Sequence, residues 1–79
     1  MKYIIKDCFW QYIIGFKRPQ TLEKIKERLQ SKLWKMVYNW ELIESTYRTI
    51  YEYLHYCTLE ELNEILNYEL WIKILIYNN

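Results

Sequence analysis

Seventy-nine residues with 52% hydrophobic, 19% aromatic and 27% charged side chains and a formal net charge of +1 describe one small folding domain, because disorder goes with low hydrophobicity and high net charge. A chain this short buries only about 60 to 65% of the surface its unfolded form exposes, and such domains commonly lean on disulfides, a metal or a partner subunit. Cys8 and Cys57 are the only cysteines, far apart in sequence and outside any paired-ligand spacing. They indicate neither a disulfide framework nor a zinc site, so they read as small buried hydrophobes and no metal or other cofactor is expected.

The apolar set contains no alanine and a single valine, Val37, so the core must be assembled from Ile, Leu, Tyr and Trp, and large rings are left partly exposed. The bias toward Ile, Lys, Tyr and Asn is that of AT-rich coding, as in many phages, mobile elements and low-GC bacteria. At the amino terminus there is no continuous apolar stretch followed by a small-residue cleavage site. The apolar run over residues 70–77 is broken by Lys73 and too short to span a bilayer. A cytoplasmic protein without a membrane segment is therefore expected.

In chain order, residues 2–5 are too few to assign alone. Asp7 can cap a short helix whose Cys8, Phe9, Tyr12, Ile13 and Phe16 follow helical spacing, and Gly15 and Pro19 bracket the clearest loop, residues 15–20. Thr21 then caps a second helix carrying Leu22, Ile25, Leu29, Leu33, Met36 and Val37 on one stripe. Asn39 is the best break, and a third helix from Trp40 carries Ile43, Tyr47, Ile50, Leu54 and Cys57. Without that break, residues 22–57 would form one rod whose seam needs a partner chain. Thr58 with Glu61 makes a capping box for a fourth helix with Leu59, Leu62, Ile65, Leu66 and Leu70.

Beyond Leu70 two readings stand. The preferred one continues the helix into a dimer contact. The other takes the alternation of Ile72, Ile74 and Ile76 as a strand paired with Tyr3 to Ile5. The expected fold is thus all-α, a bundle of about four short helices over residues 1–79, with a short two-stranded ribbon of the terminal segments as its alternative ending.

Charge is the most asymmetric property. Residues 1–35 hold nine Lys or Arg against three acids, a balance of +6, and residues 36–79 hold two against seven, a balance of −5. On the second helix Lys24, Arg28, Lys32 and Lys35 fall along one flank, while Glu23, Glu27 and Trp34 fall along the other. With Lys17 and Arg18 at its mouth, the cation row could track a nucleic-acid backbone and Trp34 stack on a base. The preferred reading makes it a solvated flank, or one facing the glutamates of the second half, because nucleic-acid domains usually carry a clear basic excess.

Tyrosine is the other excess. Tyr38, Tyr53 and Tyr56, with Leu42, point away from the apolar stripe of their region, as in an exposed aromatic patch of the kind that concentrates at binding hot spots. The competing reading is a central third helix buried on several sides. His55 and Cys57 diverge by about 200° along a helix, and a pairing of Cys8 with His55 would need an orienting third group. The acids Glu60, Glu61 and Glu64 belong to a helix first turn, where the dipole accounts for them. No enzymatic constellation is present.

Residues 45–54, STYRTIYEYL, resemble the recognition helix of winged-helix metal-responsive repressors, in which a Thr, Tyr and Arg cluster opens the DNA-contacting helix. The resemblance implies Ser45, Thr46 and Arg48 as DNA-facing residues and a terminal strand as a rudimentary wing. It spans about a tenth of the chain, lacks the glycine turn and metal-binding residues of that family, and is flanked by glutamates. Without it, Tyr47 is core and Arg48 pairs with Glu44 or Glu52.

The expectation from sequence is a small non-enzymatic interaction protein that docks another protein and self-associates as a homodimer. Trp34, Tyr38, Leu42, Tyr53 and Tyr56 form its candidate surface, and an accessory or inhibitory role in a phage or mobile element suits its size. The alternative is a helix-turn-helix or winged-helix-like nucleic-acid binder using Lys17, Arg18, Lys24, Arg28, Lys32, Lys35 and Arg48.

Overall fold

A computed structural model describes residues 1–7 and 18–77. Among them the order is β1 (Tyr3–Asp7), α1 (Leu22–Tyr38), α2 (Glu44–Tyr56), α3 (Leu59–Leu70) and β2 (Ile72–Ile76). The expected capped helix at Cys8 to Phe16, and Lys17, lie outside the described residues, so three of the four expected helices are seen. None of them is long and apolar enough to cross a membrane.

Each helix boundary has a local cause. Thr21 caps α1, its hydroxyl accepting from the Lys24 amide at 3.4 Å. The Thr58 and Glu61 pair forms the capping box of α3: the Glu61 amide donates to Thr58 Oγ1 at 3.2 Å, and the Thr58 amide donates to Glu61 Oε1 at 3.3 Å. Between α1 and α2 the break falls at Asn39, but α2 does not begin at Trp40. Trp40 takes a left-handed backbone, φ 63°, and the amides of Glu41 and Leu42 both donate to the Met36 carbonyl. This turn reverses the chain and removes the single-rod reading of residues 22–57. As a result Ile43 is not a core residue of a longer helix; it stands at the N-cap of α2, 72% exposed.

The preferred helical continuation past Leu70 is also overturned. Trp71 takes the left-handed conformation, φ 58° and ψ 37°, its amide donating to the Asn67 carbonyl at 3.1 Å, so α3 ends there. The chain then enters β2, which pairs antiparallel with β1 in the register Tyr3↔Ile76, Ile5↔Ile74 and Asp7↔Ile72. Continuing the helix would have put Lys73 on the apolar face. In the strand, Ile72 and Ile74 turn inward and Lys73 outward.

Both outer edges of the ribbon are partly closed. On β1, the Tyr3 and Gln20 backbones exchange hydrogen bonds at 2.7 and 2.9 Å. On β2, the Asn63 side chain of α3 mimics a third strand: Ile74 N–H donates to Oδ1 at 2.8 Å, and Nδ2 donates to the Ile74 carbonyl at 2.9 Å. The core beneath is Ile5, Ile25, Leu29, Leu33, Ile50, Leu54, Leu62, Leu66, Ile72 and Ile74. α2 contacts both α1 and α3, so it is covered on two sides.

Candidate functional site

Among the described residues, every buried member of the core cluster is Ile or Leu, and the rings lie at its margin or beyond it. On α2, Tyr47, Tyr51 and His55 recur at four-residue steps and share one face. Their centroids lie 6.1 Å apart for Tyr47 and Tyr51, and 4.4 Å for Tyr51 and His55. The α1 flank beside them supplies Trp34, 5.4 Å from Tyr47, and Gln30, whose Oε1 accepts from His55 Nε2 at 3.2 Å. Tyr56 extends the row, its ring 6.3 Å from that of His55. All pairs are tilted, with interplanar angles of 43° to 58°, the geometry that ring quadrupoles favour over flat stacking.

The row faces outward. Trp34 is 51% exposed, Tyr51 38% and Tyr56 83%, whereas Tyr47 is half-buried and packs on the core. Tyr47, Arg48, Tyr51, Glu52 and Tyr56 line an open groove of about 390 Å³ along α2. Arg48 is held by Glu44 at 3.0 Å, so Glu44, Arg48 and Glu52 together carry −1. A second groove of similar volume lies at the α1–α2 link, lined by Val37, Trp40, Glu41, Leu42, Ile43 and Glu44.

Of the five residues expected on an exposed patch, Trp34 and Tyr56 fall on the row, while Tyr38 is exposed on the last turn of α1. Leu42 and Tyr53 are half-buried and pack against the core, and this corrects their assignment to the patch. The reason is the central place of α2: its buried arc is wide enough to take in Tyr53, and Leu42, released from the helix by the turn at Trp40, folds back on the core. Tyr51, His55 and Gln30 were missed, although the four-residue recurrence of Tyr47, Tyr51 and His55 is visible in sequence.

Among the cations, Lys24, Arg28 and Lys35 are exposed on one flank of α1 and Lys32 is half-buried. Arg18 is exposed ahead of that helix, and Arg48 stands apart on α2, tied to Glu44. For the recognition-helix resemblance, Ser45 is exposed but Thr46 is half-buried, and the Ser45 carbonyl accepts from the Thr49 hydroxyl at 3.1 Å. The three residues it would turn to DNA thus do not share one free outer face. Cys57 is a half-buried free thiol, and Cys8 lies outside the described residues. Among those described, no three His, Cys, Asp or Glu side chains come together in a way that could hold a metal ion. No family model, curated protein or solved structure matches this chain.

Proposed function

We propose that this chain is a non-enzymatic protein-interaction module that docks another protein on the aromatic row formed by Trp34, Tyr47, Tyr51, His55 and Tyr56. The observation that carries the reading is a contiguous row of tilted ring contacts in which Trp34, Tyr51 and Tyr56 are exposed. Tyrosine and tryptophan supply large contact area at low rotamer cost, and the tilted contacts with Gln30 at one end hold the row before a partner arrives, which lowers the entropy lost on binding. An accessory or inhibitory role in a phage or mobile element is consistent with a composition rich in Ile, Lys, Tyr and Asn, the bias of AT-rich coding.

The test replaces Tyr51 and Tyr56 by serine together, leaving Tyr53 alone because it packs on the core. Affinity capture from the native host with parent and variant, matched for helicity by circular dichroism, is expected to show a retained protein that the variant loses. Equal retention by both would count against the row. The nucleic-acid alternative has the exposed Lys24, Arg28 and Lys35 in its favour, and it requires duplex or single-strand binding that weakens steeply with salt.

A further inference from the structure

We infer that the groove on the outer face of α2 receives a cationic side chain, an arginine or lysine carried by a basic segment of the partner protein. This rests on the docking reading above and specifies the chemistry of what docks. Three tyrosine rings, Tyr47, Tyr51 and Tyr56, line the groove. The negative face of each ring attracts a cation within about 6 Å of its centroid. With the Tyr47 and Tyr51 centroids 6.1 Å apart, one guanidinium or ammonium can lie within reach of both. Tyr51 is buttressed from the side by His55 at 4.4 Å, so its ring is already placed.

Charge selects the sign of the occupant. Glu52 lines the same groove, and the Arg48 that also lines it is matched by Glu44 at 3.0 Å. With Glu44 counted, the charged side chains at the groove therefore carry −1. An acidic segment would be repelled, and a purely apolar one would cover Glu52 without a counter-charge, which costs free energy. A basic segment meets rings and carboxylate together, and its long aliphatic stem can lie along the apolar walls while the charged head reaches Glu52. The groove, about 390 Å³ and open to solvent, has room for such an extended side chain.

The experiment titrates the full chain at low salt with a hexa-arginine peptide and with hexa-citrulline, which has nearly the same shape and no charge, following the tyrosine ring resonances by NMR. The arginine peptide is expected to shift Tyr47, Tyr51 and Tyr56 saturably, with citrulline at least about tenfold weaker. Tyr56→Leu should lose about threefold to fivefold in affinity, in line with the strength of an exposed cation–π contact, Tyr56→Phe should bind like the parent, and Glu52→Gln should weaken binding by a similar factor. Equal binding of citrulline, or no effect of Glu52→Gln, would overturn cation recognition while leaving the row as a docking surface. Shifts of the same rings on concentrating the protein without peptide would assign the groove to a second copy and overturn the inference. If arginine shifts none of the three rings, the inference falls. The docking reading falls with it only if the Tyr51→Ser, Tyr56→Ser variant also captures the same proteins as the parent.

Discussion

Asn63 sits on α3 between Leu62 and Leu66, two of the most deeply buried residues, yet its amide is committed to the backbone of Ile74 through both of its polar atoms. Removing it strips a half-buried N–H and a half-buried carbonyl of their partners at once, and unsatisfied groups of this kind cost more than an average hydrogen bond contributes. Asn63→Ala is therefore expected to lower unfolding free energy by about 2 kcal/mol, read from the urea midpoint at unchanged slope; an unmoved midpoint would contradict the role. Nothing in the sequence marks this residue, because an asparagine on a helix more often faces water. The left-handed caps were equally hidden. That conformation usually announces itself as glycine, but the chain has one glycine, Gly15, and Trp40 and Trp71 take the two positions instead. Since Trp71 is 66% exposed, relieving its backbone should outweigh the lost contact area. Trp71→Gly is expected to raise the thermal midpoint, equivalent to about 1 kcal/mol, and a lower midpoint would show that the ring holds structure in place.

The elements divide by whether their signals are local. Thr21 and the Thr58–Glu61 box stand at the first turns of the helices they start, so the starts of α1 and α3 were legible to within a residue, whereas the end of α3 was not. The start of α2 was not, because Ile43 at its N-cap makes no side-chain cap bond and the apolar spacing runs on backward into the turn. The ribbon was only half legible: Ile72, Ile74 and Ile76 alternate, but a strand exists only with its partner, and that partner stands at the opposite end of the chain. Pairing places Ile5 directly across from Ile74, both buried. Ile74→Ala should therefore lower unfolding free energy by about 3 kcal/mol, read from the urea midpoint. A loss below about 1 kcal/mol would refute the inward face of the ribbon.

At the scale of the molecule, the buried core among the described residues consists of Ile and Leu, and this separates two jobs. Aliphatic side chains from three helices and two strands close the interior, and the rings of α1 and α2 lie at its margin, where they touch one another and water. The sequence showed that rings would be in surplus and placed Trp34 and Tyr56 among those at the surface. It could not show that Tyr53 turns toward the core while Tyr51 turns out, since that depends on α3 packing beside α2. The most direct measurement is urea unfolding of the Tyr51→Ser, Tyr56→Ser variant. Rings outside the core should be dispensable for folding, leaving unfolding free energy within about 1 kcal/mol of the parent at the same slope. A loss of about 3 kcal/mol or more, as when a buried leucine is cut to alanine, would mean that the row is part of the core and not a surface kept for a partner.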